Sequence, residues 1–445
     1  MTQTYPKTRA ITPIQPFERT LSLPGSKSLT NRALLLAALS DGPCYLTNVL
    51  FADDTRRMLE GLQALGFKVD IDEPRAAVLV EGRAGRIPAQ TAELHLGNAG
   101  TAVRFLTAAL CLGDGTYTVD GIQRMRERPI GQLVEPLRQL GANIEHTHND
   151  GYPPLKIHAS GLQGGELTLQ PTLSSQYITA LLQIGVYAKK GLHLRLAGDI
   201  TSRPYIQMTL GLLEHFEVPI EASPDLTSFH IEAEWVRGND LLIEPDASSA
   251  SYFWAAAAII PGSSCTIEGL GTNSLQGDTH FATVLEKIGA RVTMNKTSTT
   301  VAAPTDGKLH GIDIDLNHMP DAAMTLAAIA PILEGPTTIR NIGNWRVKET
   351  DRLHAMQTEL TKVGAKADIQ ADDLHITPPP DGQIQPATID TYDDHRMAMT
   401  FTVLGLARPG ITINDPACVA KTLPDFFERI DQLTQATATH GTRDT

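Results

Sequence analysis

Short polar stretches that run directly into Ala-rich or Leu-rich segments recur along the chain. The first extends from Gly25 to Arg32 and leads into the uncharged run 33–39. Small and polar residues followed by strong helix formers predict a loop that feeds the N-terminus of a buried helix. The later stretches begin at Gly97, Leu173, Pro245, Pro320 and Asp393. Successive starts are 72, 76, 72, 75 and 73 residues apart, so six repeats account for the whole chain.

A second, amphipathic segment follows in each repeat and ends in a matching way. Four of these segments are followed by a glycine, which is typical of a helix C-terminus: Gly66, Gly141, Gly289 and Gly364. The third repeat has Glu217 at this place. Three segments have a proline at or near the first helical position, namely Pro129, Pro204 and Pro424. β-rich runs lie between the helices, at 117–120, 192–196, 266–270, 337–341 and 411–415.

Each repeat is therefore predicted to be a βαβαββ unit with one buried and one amphipathic helix. Six such units are too many for one core, so we expect an α/β protein of two similar domains with three repeats each. The crossing between the domains is placed near Glu244 and Pro245, which gives residues 25–244 to the first domain. The helix N-termini of the two domains would then face each other across a cleft, where binding sites are common.

Composition and charge narrow the classes of function. No apolar run approaches the roughly 18 residues of a membrane span, and residues 1–20 lack the apolar core of a signal peptide, so we expect a cytoplasmic protein. The four cysteines are widely spaced and form no CxxC motif, which favours reduced thiols over a metal site. The net charge of −13 argues against general nucleic-acid binding. Any anion site must be a local cluster of Lys and Arg.

Several cations stand where helix formation alone does not favour them. Lys27 and Arg32 lie at a predicted helix N-terminus, whose backbone amides and dipole are already electropositive. A bound phosphate or carboxylate would remove this conflict, although the spacing is not that of a nucleotide P-loop. The alternative is a lysine exposed at a helix start. His395 and Arg396 open another Ala-rich and Met-rich helix, and Lys421 precedes the last one.

Two further basic clusters each have an ordinary alternative. Three arginines occupy alternate positions and would share one face of an extended segment: Arg124, Arg126 and Arg128. They would otherwise form a solvated strand edge. Lys348 and Arg352 are four residues apart and would lie on one helix face with Glu349, or form an exposed ladder of ion pairs.

Three aspartates stand where a helix N-cap belongs: Asp246, Asp321 and Asp394. Aspartate is a favoured N-cap, so capping is the default role of all three. A catalytic role would require burial beside cations, with a reacting hydroxyl within hydrogen-bond reach.

Nine segments resemble those of the 5-enolpyruvylshikimate-3-phosphate synthase family, class I bacterial type. In chain order they are LPGSKSLTNRALLLAAL, LGNAGTAVRFLTAAL, RMRERPIGQLVEPLRQLGA, SSQYITALL, PDASSASYF, MPDAAMT, NWRVKETDRL, YDDHRMAM and KTLPDFFE. The resemblance runs from about residue 10 to about residue 432. It implies two domains of three βαβαββ units each, an inside-out α/β barrel with the active site in the interdomain cleft. It also places residues 1–24 with residues 245–445 in the second domain.

The resemblance implies a reaction between two anions. The enolpyruvyl group of phosphoenolpyruvate would pass to the 5-hydroxyl of shikimate 3-phosphate, with release of phosphate through a tetrahedral intermediate. Such substrates account for the local cations. The reaction belongs to the shikimate pathway of aromatic amino acid biosynthesis and requires no metal or organic cofactor. We expect a monomer without nucleic-acid or membrane partners, whose domains close to exclude water.

The resemblance also assigns roles to residues. The positions that match phosphoenolpyruvate-binding residues are Lys27, Gly100, Arg128, Gln176, Arg352, Arg396 and Lys421. Those that match shikimate 3-phosphate-binding residues are Ser28, Arg32, Ser174, Ser175, Gln176, Ser202, Tyr205, Asp321, Asn344 and Lys348. Asp321 matches the residue proposed to take the proton from the 5-hydroxyl. Glu349 matches the residue proposed to protonate the methylene carbon of phosphoenolpyruvate, and Lys27 is a rival for part of this proton transfer.

One segment departs from the family pattern. Arg104 is followed by Phe105 where the family usually has proline, and Val103 replaces the common methionine. A bulky residue in the first helical turn is expected to shift Gly100 and Thr101. The family is the target of the herbicide glyphosate, and we expect this chain to be inhibited less strongly than its Phe105→Pro variant.

One alternative belongs to the same class of enzyme, and the others come from a different class. The sister transferase that acts on UDP-N-acetylglucosamine shares the fold and the chemistry, but it typically carries a reactive cysteine in the loop before the arginine that matches Arg128. The corresponding stretch 121–127 has none. A non-catalytic α/β repeat scaffold, or an RNA-processing relative, would not need cations at several helix starts.

Overall fold

The computed structural model of the chain describes residues 6–170 and 174–434, and Leu173 of the third repeat lies outside them. The strands are β1 (Thr8–Ala10), β2 (Glu18–Leu21), β3 (Asp41–Thr47), β4 (Lys68–Asp72), β5 (Ala77–Arg83), β6 (Thr91–His95), β7 (Asp114–Asp120), β8 (Asn143–His146), β9 (Leu155–Ser160), β10 (Gly165–Leu169), β11 (Leu192–Leu196), β12 (Ile220–Ala222), β13 (Ser228–Ile231), β14 (Leu241–Leu242), β15 (Ser264–Glu268), β16 (Arg291–Met294), β17 (Ser298–Ala302), β18 (Asp313–Asp315), β19 (Thr337–Arg340), β20 (Lys366–Gln370), β21 (Asp373–Thr377), β22 (Ala387–Ile389) and β23 (Ile411–Asn414).

The helices fall into a first and a second helix for each repeat. They are α1 (Lys27–Leu39), α2 (Asp53–Ala64), α3 (Gly100–Leu110), α4 (Gly131–Gln139), α5 (Ser175–Gly185), α6 (Arg203–His215), α7 (Ala247–Ile259), α8 (Phe281–Lys287), α9 (Pro320–Ile329), α10 (Arg352–Lys362), α11 (His395–Ala407) and α12 (Phe426–Leu433). Short 3-10 helices span Glu73–Arg75, Met125–Glu127, Gly277–His280, Ala330–Ile332, Gly343–Val347, Pro380–Gly382 and Pro416–Lys421.

The strands of the described residues form six sheets, and five of them share one four-stranded topology. In the second repeat, for example, β6 and β7 are parallel, β9 is antiparallel to β7, and β8 lies at the edge beside β9. With α3 and α4 in their places along the chain, this is the predicted βαβαββ unit. The α/β class expected from the sequence is confirmed.

The sheet of the sixth repeat has three strands. In it β22 is parallel to β23, and β1 pairs antiparallel with the other side of β23. Within the described residues, this sheet therefore has one strand fewer than the other five. The N-terminal β1 occupies the place beside β23 that a later strand takes in the other repeats.

Two sheets take their first strand from a distant part of the chain. β14 is parallel to β3 in the sheet of the first repeat, and β2 is parallel to β15 in the sheet of the fourth. The chain thus passes between the two groups of repeats twice, next to residues 24–25 and 244–245. An isolated antiparallel bridge joins Gly25 to Pro245 at this crossing.

The first helix of each repeat is buried. All residues of α7 except Ser248 are buried, as its Ala-rich, uncharged sequence allows. The helices α1, α3 and α5 pack against one another, and so do α7, α9 and α11. The buried apolar side chains form two clusters, one within residues 29–243 and one from residues 11–23 together with 247–433. We therefore propose residues 25–244 as the first domain, and residues 1–24 with 245–445 as the second.

The predicted glycine stops after the second helices are confirmed. All four glycines adopt positive φ, with values of 81°, 101°, 119° and 89° at Gly66, Gly141, Gly289 and Gly364. Glu217 takes the same left-handed conformation in the third repeat, with φ 55°. A non-glycine residue in this region costs about 1 kcal/mol, so the geometry of the stop is retained at some expense of stability.

All four cysteines are free thiols, and three of them are buried: Cys44, Cys111 and Cys265. Burial raises the pKa of Cys111 and of Cys265 to about 12, so both are neutral and unreactive at physiological pH.

Within the described ranges, the length and apolar character needed to cross a membrane are not combined in any helix.

Candidate active site

A narrow cavity with a volume of about 40 Å³ lies between the two proposed domains. Its walls come from the N-terminal ends of α1, α3, α5, α6 and α9 and from the 3-10 helix Gly343–Val347. The lining residues are Lys27, Ser28, Arg32, Thr101, Ser174, Ser175, Gln176, Ser202, Tyr205, Asp321, Asn344 and Lys348. All of these except Thr101 are residues that the resemblance assigns to the site. The structure thus brings together side chains that lie up to about 320 residues apart in the sequence.

The helix at the first polar stretch begins earlier than expected. Its first residue is Lys27, so Arg32 lies in the second turn and not in a loop. The backbone N–H of Lys27 donates to Asp246 Oδ2 at 3.0 Å, and that of Leu29 donates to the N-cap Ser26 at 3.4 Å. Two amides at this helix end therefore already have partners, and an anion would be held mainly by side chains.

Asp54 joins two lysines from different domains. Its Oδ2 is 3.3 Å from Lys27 Nζ, and its Oδ1 is 3.3 Å from Lys421 Nζ. Lys421 also donates to the backbone carbonyl of Asn98 at 3.0 Å. Lys421 ends the 3-10 helix Pro416–Lys421 of the second domain, so these contacts span the cleft.

Arg32 is buried, and within the described residues it pairs with no carboxylate. Its guanidinium donates to Thr209 Oγ1 at 2.9 Å and to the carbonyl of Ser28 at 2.9 Å. Burial lowers the pKa of Arg32 to about 10, against a small opposing effect of Tyr205. A buried guanidinium that only neutral groups hold is well suited to bind an anion.

The aromatic ring of Phe105 packs against the guanidinium group of Arg32. Phe105 is the sixth residue of α3 and fully buried, and its ring centroid is 5.4 Å from the guanidinium carbon of Arg32. The expectation that it occupies the first helical turn is wrong, because α3 already begins at Gly100.

Asp321 lies at the centre of a cationic cluster. Its Oδ1 accepts from Arg352 at 2.8 Å and is 3.6 Å from Lys348 Nζ, and its Oδ2 accepts from Arg396 at 2.9 Å. Burial would raise its pKa, but Arg396, Lys348 and Arg352 outweigh burial and hold the pKa of Asp321 well below its usual range. The default capping role does not apply to Asp321, because the N-cap of α9 is Met319.

Arg352 bridges three carboxylates. Besides Asp321 it donates to Asp394 Oδ2 at 2.7 Å and to Glu349 Oε2 at 2.8 Å. Burial would raise the pKa of Glu349, but Arg352 and then Arg128 hold it well below its usual range. Asp394 also caps α11 by accepting from the backbone N–H of Arg396 at 2.9 Å, so its capping role and its ion pair coexist.

Arg128 lies beside the N-terminus of α3. It donates from one nitrogen to the carbonyl and to the side-chain oxygen of Asn98, at 3.1 and 3.0 Å. Burial lowers its pKa to about 10, and the nearby Glu349 opposes this only in part. A side chain at Gly100 would place its Cβ 2.7 Å from Arg128 Nη2 and 2.5 Å from Arg104 Nη1. A side chain here would therefore displace the ends of Arg104 and Arg128 from their present positions beside the backbone.

Gln176 is oriented by neighbours from two helices. Its Oε1 accepts from Arg104 at 3.1 Å, and its Nε2 donates to Thr101 Oγ1 at 3.4 Å. Its backbone N–H donates to the hydroxyl of the N-cap Ser174 at 3.3 Å. Ser175 is the first residue of α5 and lines the same wall.

Two more residues of the predicted set contribute polar atoms from the edges of the cavity. Ser202 precedes α6 in a left-handed conformation and contacts Asn317 of the second domain with its N–H at 3.2 Å and its hydroxyl at 3.3 Å. Asn344 is 7% exposed, and its Oδ1 has no hydrogen-bond partner among the described residues. A buried amide oxygen of this kind has a free acceptor for a ligand.

Two local interpretations of the basic clusters are wrong. Arg124 and Arg126 do not extend along one face, because a 3-10 helix spans Met125–Glu127; Arg124 instead reaches across the cleft to the carbonyls of Lys348 and Glu349, both at 3.0 Å. Lys348 and Glu349 do not share a helix with Arg352, because α10 only begins at Arg352. The chain turns between them.

Four residues of the site were not assigned from the sequence: Asp54, Asn98, Thr101 and Arg104. Asp54 follows another aspartate in the first turn of a helix, where negative charge is common, so its pattern carries no functional signal. The other three lie in the segment LGNAGTAVRFLTAAL, which resembles the family, but the sequence does not indicate their contacts. In the structure Asn98 accepts from Arg128, and Thr101 and Arg104 orient Gln176.

The site has more positive than negative side chains. Eight cations meet here: Lys27, Arg32, Arg104, Arg128, Lys348, Arg352, Arg396 and Lys421. Four carboxylates face them: Asp54, Asp321, Glu349 and Asp394. The surplus favours small ligands that carry several negative charges.

Comparison with known proteins shows which family the chain resembles along its length. A family model described as EPSP synthase (3-phosphoshikimate 1-carboxyvinyltransferase) matches residues 11–430. A 3-phosphoshikimate 1-carboxyvinyltransferase of Serratia proteamaculans is 49% identical over 426 residues, which cover 95% of this chain and 98% of that relative. The protein of the same description from Sulfurovum sp. is 48% identical over 429 residues, with the same coverage of 95% and 98%.

Solved structures agree on the fold. EPSP synthase from Acinetobacter baumannii superimposes with a TM-score of 0.79 at 24% identity, covering 96% of this chain and 98% of that one. The enolpyruvyl transferase NikO from Streptomyces tendae gives a TM-score of 0.76 at 19% identity, covering 96% and 97%.

Proposed function

The chain belongs to the EPSP synthase family, and we propose how its own residues carry out the reaction of that family. It transfers the enolpyruvyl group of phosphoenolpyruvate to the 5-hydroxyl of shikimate 3-phosphate by addition and elimination, and it releases phosphate. The observation that carries the assignment is the match over residues 11–430, together with a cavity between the domains that is lined by cations. The family membership favours this substrate over UDP-N-acetylglucosamine, and an enzyme over a scaffold.

Shikimate 3-phosphate is proposed to occupy the wall built from α1, α5, α6 and the 3-10 helix Gly343–Val347. The residues that would hold it are Ser28, Arg32, Ser174, Ser175, Gln176, Ser202, Tyr205, Asp321, Asn344 and Lys348. The buried charge of Arg32 and the unpartnered Oδ1 of Asn344 support this placement. A bound phosphate would accept hydrogen bonds from the guanidinium of Arg32, and a ring hydroxyl would donate to Asn344 Oδ1.

Phosphoenolpyruvate is proposed to bind where the cations of the two domains meet. The residues that would hold it are Lys27, Gly100, Arg128, Gln176, Arg352, Arg396 and Lys421. The planar guanidinium groups of the three arginines suit a carboxylate, and the two lysines suit a phosphate as point charges. Lys27 and Lys421 already converge on Asp54, and Arg352 lies against Glu349, so these two carboxylates balance part of the positive charge of the site.

The proton transfers are proposed to use Asp321 and Glu349. Both carboxylates are ionised when only the cations surround them, because their pKa values lie well below the usual range. Anionic substrates neutralise the same cations and so raise both pKa values. Asp321 then accepts the proton of the 5-hydroxyl. Glu349, whose pKa the bound substrates have raised, takes up a proton, gives it to the methylene carbon in the addition step and removes a proton from the resulting methyl group when phosphate leaves. Lys27 is the rival donor or acceptor.

The contacts across the cleft support a closed, water-excluding site during the transfer. Arg124 donates to two carbonyls of the second domain, and Lys421 donates to Asn98 of the first. A closed cleft protects the reacting enolpyruvyl group from hydrolysis.

The test is phosphate release from phosphoenolpyruvate with shikimate 3-phosphate or UDP-N-acetylglucosamine as the second substrate. We expect release only with shikimate 3-phosphate, and an Arg32→Met variant should lose it. Release with the nucleotide sugar, or with neither, would contradict the proposal.

We further propose that the protein acts in the cytoplasm as a monomer without nucleic-acid or membrane partners. The net charge of −13 supports the absence of nucleic acid. Light scattering of the purified protein tests the oligomeric state, and a mass twice that of the chain would contradict it.

A further inference from the structure

Asp278 is a buried carboxylate that the proposed reaction does not use. It lies in the 3-10 helix Gly277–His280 of the second domain and is 4% exposed. Its Oδ2 accepts from the hydroxyl of Tyr205 at 3.2 Å and from the hydroxyl of Ser248. Its Oδ1 has no hydrogen-bond partner in the described part of the chain.

The contact with Tyr205 crosses the boundary between the domains. Tyr205 belongs to α6 of the first domain and lines the cavity, whereas Ser248 belongs to α7 of the second. The two surfaces meet without a gap here, since a Cβ added to Gly277 would lie 2.2 Å from Cβ of Pro204. Asp278 is therefore fixed directly against the helix that carries Tyr205.

The segment around Asp278 is also tied to the point where the chain crosses between the domains. The carboxylate of Glu244 accepts from Ser274 Oγ at 2.6 Å and from the backbone N–H of Leu275 at 2.9 Å. Gln276 donates to the carbonyl of Pro245 at 2.7 Å. The position of Asp278 thus depends on the segment where the chain crosses between the domains. Through Asp278, the Tyr205 hydroxyl is connected to that same segment.

We propose that Asp278 is a positioning residue that holds the Tyr205 hydroxyl across the domain boundary and orients it toward shikimate 3-phosphate. The inference rests on the proposed function, which assigns Tyr205 to that substrate. Because the phenol proton is directed to Asp278, the lone pairs of the phenol oxygen are left to accept from a ring hydroxyl. Asp278 touches no substrate atom and acts only through Tyr205.

Charge modulates this contact. The charged groups that face Asp278 are Asp321 and Arg396 from α9 and α11, and Asp246 before α7. Burial, with Asp321 and Asp246, raises the pKa of Asp278 to about 6, and Arg396 and Ser248 oppose this in part. A carboxylate accepts a hydrogen bond more strongly than a neutral acid, so the hold on Tyr205 should tighten as the pH rises through about 6.

The first experiment is a double-mutant cycle of Asp278→Ala and Tyr205→Phe, with steady-state kinetics on both substrates. We expect Asp278→Ala to raise KM for shikimate 3-phosphate about tenfold, the effect of one hydrogen bond to a charged group, and to change kcat and KM for phosphoenolpyruvate less than about twofold. The double variant should resemble Tyr205→Phe within about twofold. Additive effects, or equal changes in both KM values, would overturn the inference.

The second experiment uses Asp278→Asn, which keeps the shape and one acceptor oxygen if the alanine variant folds poorly. Its KM for shikimate 3-phosphate is compared with that of the parent between about pH 5 and about pH 7.5, and the ratio of the two values cancels titration of the substrate phosphate. We expect this ratio to rise about fivefold over that range as Asp278 ionises in the parent. A constant ratio would overturn the inference.

The same assays separate the two proposals. A parent protein that turns over both substrates, combined with additive variants, would remove only the role of Asp278. A parent protein that turns over neither would remove the proposed function and this inference with it. Asp306→Ala, at an exposed aspartate of the same domain, is the matched control and should leave all constants unchanged.

Discussion

The free energy of unfolding of the Asp278→Asn variant should increase relative to that of the parent protein as the pH rises toward neutrality. Asp278 is buried, and its pKa rises from 3.8 to about 6 on folding. Between these values the unfolded chain has released the proton and the native protein has not. The native state therefore binds more protons, and the stability of the parent falls as the pH rises through this window.

The magnitude follows from the size of the shift. A difference of about 2 pKa units corresponds to about 3 kcal/mol of stability, present below pH 3.8 and fully lost above about pH 6 to 7. The loss between about pH 5 and about pH 7.5 is about 1.4 kcal/mol. An asparagine cannot ionise, so the free energy of unfolding of the variant should improve relative to the parent by this amount over the interval.

Urea unfolding of both proteins at the two pH values measures the effect. The fixed cost of burying the amide is the same at both pH values and cancels in the comparison. Asp306→Asn, at an exposed aspartate, controls for loss of a negative charge. If the difference in free energy of unfolding between variant and parent is the same at both pH values within about 0.5 kcal/mol, the reasoning is refuted. Ionisation of Asp278 would then not destabilise the folded protein.

Three further predictions concern the site. Asp321→Asn should lower kcat by a factor of about 10² to 10⁴ without loss of folded structure, because an amide cannot take the proton of the 5-hydroxyl; an unchanged kcat would exclude Asp321 as the base. Shikimate 3-phosphate at about 100 times its Kd should stabilise the protein against urea by about 2.7 kcal/mol, whereas unphosphorylated shikimate at the same concentration should give much less, and equal effects would contradict an anion site. Phe105→Pro removes the N–H that the helix directs to the carbonyl of Thr101 and the buried ring beside Arg32, so it should reshape the start of α3 and increase inhibition by glyphosate; equal inhibition constants in the two proteins would refute this expectation.

The fold could be predicted from local signals that repeat. Uncharged Ala-rich segments predict buried helices, and glycines at matching places predict where the second helices end. Both are confirmed, as in α7 and at Gly66. The exchange of strands is different, since nothing in the two residues of β14 shows that they pair with β3 about 200 residues earlier. Such pairing depends on the closure of the whole domain.

The site could be predicted only as far as it follows matched segments. Asp321 shows the limit, because its position in the sequence fits an N-cap, and only the approach of Arg352, Arg396 and Lys348 gives it another role. Arg124 shows the same limit, since its partners are carbonyls more than 220 residues away. Asp54 and Asp278 carry no local signal at all. Their environments are made by the contact between the domains, which no periodicity in the sequence records.

The charge balance of the site links the stability of the protein to its function. Arg32 and Arg128 are fully buried, and their pKa values are lowered from 12.5 to about 10, chiefly by burial. A shift of this size means that each charged guanidinium destabilises the native state by about 3 kcal/mol at neutral pH. A phosphate or carboxylate beside these groups offsets that desolvation penalty. Part of the binding free energy of an anionic substrate therefore comes from relieving the unfavourable burial of the two guanidinium groups. Replacing either arginine by methionine should therefore remove this penalty together with the hydrogen bonds that the guanidinium donates, so the net change in stability should be small while the binding of anionic substrates is strongly weakened.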